Sequence, residues 1–206
     1  MTGPGETARE PALDEIVTVP TAEGMRILGR QLAGLLRAGD LVVLSGSLGA
    51  GKTTLTQGIG AGLDVRGPIT SPTFVIARVH PSLAAGPDLV HADAYRLGSR
   101  AEVDDLDLDA DLATSVTVVE WGEGLVEDLA PSFLSVGIQA LTPAPAVTDP
   151  ASTGDAGTGD AGTGEFDPAD SAEADVVRTV RILGWGDRWR GSAVAALRQA
   201  LAAGSR

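Results

Sequence analysis

The chain has no cysteine, so neither a disulfide framework nor a thiolate metal site is available to it. No apolar run approaches the length needed to span a bilayer. The opening MTGPGETARE lacks a basic segment followed by an apolar one, so a signal peptide is not expected and the protein reads as soluble and cytoplasmic. Bases are missing altogether from residues 142–175, which hold eight acids: Asp149, Asp155, Asp160, Glu165, Asp167, Asp170, Glu173 and Asp175. Net charge is −13, and those eight account for all but −5. Even −5 argues against independent binding to a polyanion, because nucleic-acid affinity rests mainly on Lys and Arg neutralising phosphates. Any RNA partner is therefore expected to be held by something else. At 206 residues and 43% hydrophobic composition, the chain can bury one core.

Lysine is almost absent as well. Of 15 basic residues 14 are arginine, and the one lysine is Lys52. It stands in Leu41–Leu55, LVVLSGSLGAGKTTL, around which the rest of the chain is organised. Leu41–Leu44 has the composition of a buried parallel strand. Gly46, four further residues, Gly51, Lys52 and Thr53 then fill the pattern G-x-x-x-x-G-K-[ST] of a phosphate-binding loop. Gly46, Gly49 and Gly51 admit backbone conformations closed to other residues and let the chain approach a phosphate. The amides of Gly49 to Thr53 are expected to wrap the β-phosphate at the start of a helix whose dipole favours an anion, with Gly46, Leu48, Gly49, Ala50, Gly51, Lys52, Thr53 and Thr54 as the nucleotide-binding residues. Lys52 is expected to reach the β- and γ-phosphates, and the Thr53 hydroxyl to ligate Mg²⁺. A chance glycine-rich turn does not account for the only lysine falling at this position.

Ahead of the loop, residues 1–13 read as a polar arm and Glu15–Val19 as a short strand. Thr21 can cap a helix to about Arg37, with Met25, Leu28, Leu32, Leu35 and Leu36 at helical spacing. Behind the loop, Ile69–Phe74 is a hydroxyl-rich turn before a strand, and beside a phosphate loop a threonine from such a turn often holds the γ-phosphate. Leu89–Asp93 and Val116–Glu120 are two apolar strands that each end in an acid. Carboxylates at strand ends beside a phosphate loop suit metal organisation and water activation, so Asp93 and Glu120 are the candidates, with the direct metal ligand unresolved between them. A helix N-cap is the plainer role for Asp93, and a packed structural residue the plainer role for His91. Arg96 can pair with a carboxylate as readily as with a phosphate.

Glu102–Asp111 carries six acids and reads as a solvated face; the glycine a calcium loop requires is missing. Pro131–Ala140 and Val176–Leu183 read as strands, expected to be antiparallel neighbours. Between them residues 142–175, including GDAGTGDAGTGE, offer too few bulky apolar groups to offset ordering entropy and read as a disordered acidic insertion. Asp187–Leu201 is expected to be a helix with Trp189, Val194, Leu197 and Leu201 on one face.

Four pieces in order, GSLGAGKTT at 46–54, TSPTF at 70–74, HADAYRL at 91–97 and VEWGE at 119–123, resemble the TsaE (YjeE) family, the bacterial tRNA threonylcarbamoyladenosine biosynthesis ATPases. The resemblance spans about residues 15–141 and resumes at 176. It implies an α/β fold, a P-loop NTPase-type three-layer sandwich with a mostly parallel central sheet and antiparallel C-terminal strands, built from 14–141 plus 176–206. It implies ATP and Mg²⁺ as ligands and weak hydrolysis. It also implies action beside TsaD-like and TsaB-like partners, supporting transfer of threonylcarbamoyl to a tRNA adenosine next to the anticodon. Lys52, Thr53, Thr73, Asp93, Glu120 and Trp121 fall on the family's motif positions. Ser47 and Gly122 depart from it, where an acid and a proline are common. Without an N-K-x-D motif to read guanine, adenine is favoured. The alternative from another class is a small-molecule kinase sharing the phosphate loop, which usually carries an arginine-bearing lid that this sequence does not show.

Overall fold

The computed structural model describes residues 10–72, 77–97, 99, 102–103, 111–141 and 176–203. The strand β2 (Leu41–Ser45) is apolar along its length and lies in the middle of a seven-stranded sheet, buried on both faces. With β1 (Leu13–Val19), β3 (Ala77–His80), β4 (Asp88–Asp93), β5 (Ser115–Glu120), β6 (Phe133–Ala140) and β7 (Arg178–Trp185), the sheet order is β1-β7-β6-β2-β5-β4-β3. The four strands β6, β2, β5 and β4 run parallel. Antiparallel pairing flanks both sides: β6 with β7 and β7 with β1 on one, β4 with β3 on the other. This is a mixed α/β sheet whose parallel part is its centre. Antiparallel strands are not confined to the C-terminal region, since β1 and β3 pair that way too.

One face is covered by α1 (Ala22–Ala33), α2 (Lys52–Gly62) and α3 (Ser192–Ala203), which bury Met25, Leu28, Leu32, Leu55, Ile59 and Leu197 against Val42, Leu44, Val118, Val136 and Ile182. Helices α1 and α2 cross with their backbones nearly touching, because a Cβ on Gly29 would lie 2.4 Å from the Leu55 carbonyl and one on Gly58 2.3 Å from that of Arg26. The other face packs Leu41, Val43, Val90, Ala92 and Val119 under Val103, Val126 and Ala130. There the covering chain includes a 3-10 turn at Glu127–Leu129.

Several element boundaries differ from the sequence expectations. Strand β1 begins at Leu13 rather than Glu15, since Leu13 pairs with Gly184 and is buried in the core. Thr21 does cap α1, its hydroxyl accepting from the Gly24 amide at 2.9 Å, but the helix ends at Ala33 and not Arg37. Leu35 and Leu36 pack on the core from the following turn, so apolar spacing outlasts the helix. The expected helix from Asp187 is two pieces, a 3-10 turn at Asp187–Trp189 and then α3, separated by Gly191 at φ +60°. Strands β6 and β7 are antiparallel neighbours as expected, with Ala140 opposite Arg178. The arm readings at 1–9, the acidic stretch at 104–110, the insertion at 142–175 and Thr73 lie outside the described residues.

Candidate functional site

Parallel strands bring their C-terminal ends to one edge, and the chain leaves β2 there directly into the turn Gly46–Gly51 and helix α2. Gly46, Gly49 and Gly51 have φ of +141°, +75° and +109°, which side-chain-bearing residues rarely adopt. At Gly46 space is equally decisive: a Cβ there would lie 2.3 Å from the Ile138 carbonyl of β6. Helix α2 starts at Lys52 with Gly51 as its N-cap, no side-chain cap and no acid in its first turn. Its positive end therefore faces the site without an internal counter-charge.

Register places the two acids side by side. Asp93 is opposite Glu120 across the β4–β5 pair, and Glu120 is opposite Leu44, the residue just before Ser45 at the end of β2. Both carboxyl-bearing residues are buried. Glu120 Oε1 accepts the Thr53 hydroxyl at 2.8 Å and lies 2.9 Å from His91 Nε2. Among the described residues His91 Nδ1 has no hydrogen-bond partner, and an ionised carboxylate only accepts, so the Nε2 proton is donated to Glu120. One carboxylate oxygen is thus fixed by two donors. Asp93 accepts from the Ser71 hydroxyl at 3.3 Å and the Tyr95 amide at 2.9 Å.

Lys52 donates to the carbonyls of Gly46 at 2.8 Å and Ser47 at 3.0 Å, and its ammonium sits 3.7 Å above the Trp121 ring centroid. Burial lowers its pKa from the ordinary lysine value, and the nearby Glu120 and Asp93 charges oppose that shift. Trp121 reaches this place from a left-handed backbone, φ +60°, secured by its amide bond to the Leu44 carbonyl at 2.8 Å. For a bulky residue that conformation is strained, and the ring it delivers is the floor beneath the lysine. Tyr95 packs on Trp121 with ring centroids 5.1 Å apart. The Gly at 122 follows from packing: a Cβ would lie 2.8 Å from Val126 and 2.9 Å from Val119.

These groups line one cavity of about 290 Å³, bounded by Leu48, Gly49, Gly51, Lys52, Thr53, Thr54, Ser71, Asp93, Tyr95, Glu120 and Trp121. The structure therefore brings together Lys52, Thr53, Thr54, Asp93 and Glu120 from three separate strand ends. Gly46 and Ala50 support the loop from behind rather than line the cavity, and the Leu48 side chain projects outward, 91% exposed. The side-chain oxygens of Thr53, Glu120 and Asp93 are hard donors of the kind magnesium takes, and the uncapped helix start would suit a phosphate group. Three contributors were not singled out from the sequence: Ser71 on Asp93, Tyr95 on Trp121, and Arg178, whose Nε donates to the Ala50 carbonyl at 2.9 Å. Arg178 shares the alternation phase of the core residues Val180 and Ile182, which is the signal that marks it as inward-facing.

The family model of the threonylcarbamoyl adenosine biosynthesis protein TsaE matches residues 19–144. Among curated relatives, the tRNA threonylcarbamoyladenosine biosynthesis protein TsaE of Streptomyces coelicolor is 54% identical over 84% of this chain and 99% of its own length. The protein of the same name from Mycobacterium bovis is 51% identical over 61% of this chain and 79% of its own length. A crystal structure of Bacillus subtilis YdiB superimposes with a TM-score of 0.56 at 22% identity, covering 94% of this chain and 97% of that one, and so shares the fold. With the family model matching most of its length, this chain belongs to the TsaE family of threonylcarbamoyl adenosine biosynthesis proteins.

Proposed function

We propose that the chain is a magnesium-dependent ATP-binding protein and weak ATPase with a P-loop NTPase-type core, which supports threonylcarbamoylation of the tRNA adenosine beside the anticodon. The observation that carries this reading is the hydrogen bond from Thr53 to Glu120, with Lys52 held over Trp121 on one side and Asp93 on the other. A polyphosphate is the ligand that answers this combination: glycine turns that let the backbone approach, an uncapped helix start and a buried ammonium. Lys52 exchanges the Gly46 and Ser47 carbonyls for phosphate oxygens. Thr53, Glu120 and Asp93 would hold a magnesium ion, whose charge would offset that of the phosphates in phosphoryl transfer. Glu120, steadied by His91, orients and deprotonates the attacking water. The exposed mouth of the cavity, with Tyr95 at 63% and Leu48 at 91% exposure, is where partner proteins meet the nucleotide state. Those partners are TsaD-like and TsaB-like proteins, and with net charge −13 the chain contacts tRNA only through them.

The kinase alternative gives way to the family membership. In vitro, Glu120→Gln is expected to lower ATP turnover about a hundredfold or more, while changing ATP affinity by no more than a few fold. In cells whose only copy carries Glu120→Gln, mass spectrometry of tRNA is expected to show loss of threonylcarbamoyladenosine. Full modification without hydrolysis would make ATP an assembly ligand instead.

A further inference from the structure

Arg178 is the first residue of β7 and only 4% exposed, held in register by Ala140 on one side and Val19 on the other. Its partners are two backbone carbonyls, Ala50 at 2.9 Å from Nε and Val176 at 2.8 Å from Nη1. Among the described residues no carboxylate forms an ion pair with it, whereas half-buried Arg188 is paired with Asp40 at 3.0 Å and exposed Arg181 with Asp14 at 2.7 Å. A buried guanidinium without a counter-charge is costly, and this one stands in the worst place for it. A Cβ on Gly51, the N-cap of α2, would lie 3.2 Å from its Nε, so the cation rests against the positive end of a helix. Lys52, the first residue of that helix, adds a second positive charge.

We infer that Arg178 is a positioning residue of the phosphate site, fixing the Ala50–Gly51 peptide from beneath and supplying a positive charge that the bound phosphates compensate. The inference rests on the nucleotide reading above and deepens it. Arg178 lies beyond the segment that the family model matches, residues 19–144. It does not touch the ligand; it acts through the loop and through its field. Two consequences separate this from a purely structural role. Loss of the charge is felt more by ligands with more phosphates, and it leaves the ligand-free protein no less stable, because a buried cation that no carboxylate among the described residues offsets has gone.

The test uses the full chain as wild type, Arg178→Gln and Arg178→Lys, with calorimetric titration of ATP, ADP and AMP in magnesium and thermal melts without nucleotide. Arg178→Gln is expected to weaken ATP about tenfold, ADP less and AMP hardly at all, with an unchanged or higher ligand-free melting temperature. Arg178→Lys, which keeps the charge, is expected to stay within about threefold of wild type for ATP. Equal losses for the three nucleotides, a lowered ligand-free melting temperature or failure to fold, or Lys behaving like Gln, would each overturn the inference. If wild type binds ATP and Arg178→Gln binds it as tightly, the inference alone fails. If wild type takes up no ATP, the nucleotide reading fails first and the inference goes with it.

Discussion

The loop Gly46–Gly51 is held from two sides by regions of opposite character. In front, the parallel strands β4 and β5 end in Asp93 and Glu120, followed by Trp121, and all three face the cavity. Behind, β6 and the antiparallel β7 press the Ile138 carbonyl against Gly46 and the Arg178 guanidinium against Ala50 and Gly51. The front supplies groups that can reach a ligand; the back supplies shape and field. Parallel strand ends converge by topology, so chemistry collects there. An antiparallel flank contributes to the same site only where its alternation turns a residue inward.

The comparison breaks most severely at Gly46. Gly46→Ala places a methyl 2.3 Å from the Ile138 carbonyl at φ +141°, so the loop must leave β6. The expected result is a loss of roughly 1–3 kcal/mol of stability together with ATP binding, read by denaturant melts and titration. Retention of both would show that the back of the loop yields freely. A smaller effect is expected in front. His91→Leu removes one of the two donors on Glu120 Oε1 and lowers turnover about tenfold with little change in ATP affinity, whereas His91→Gln, which keeps a donor, recovers most of the rate. If Leu and Gln variants behave alike, His91 is only packing.

The smallest effect concerns pH at the front's outer edge, where β3 carries His80. Burial is the main cause of its lowered pKa; the bond to the Arg66 carbonyl opposes the shift, and the nearby Arg78 guanidinium adds to it. Because the folded value lies below the ordinary 6.5, the unfolded chain takes up the proton first as pH falls. The contribution of His80 is therefore complete above 6.5 and is lost as pH falls from there through the folded value. Melts across that range are expected to show acid destabilisation that His80→Gln reduces; an unchanged slope would exclude His80 as its source.

The same division explains what could be read in advance. The front was legible because its chemistry is local: a glycine-rich turn around the only lysine, and two apolar runs each closed by an acid. Register then needed only to place those runs beside β2. The back was not legible as a motif, since VVRTVRIL carries Arg178 and Arg181 alike. What separates them is phase: Arg178 falls with Val180 and Ile182, and Arg181 falls outside to meet Asp14. Helix ends were misread for a related reason. Leu35 and Leu36 continue an apolar spacing because a turn can also pack on the core, and the left-handed Gly191 divides the last helix where periodicity continues.

The central claim is that this loop grips a triphosphate through Lys52. Titration calorimetry of ATP with magnesium into the full chain, beside Lys52→Ala, tests it most directly. Saturable uptake by the wild type, weakened roughly ten- to a hundredfold in the variant through loss of a charge-assisted contact of about 1.5–3 kcal/mol, is the predicted result. Equal affinity in the two proteins, or no uptake by the wild type, would contradict it.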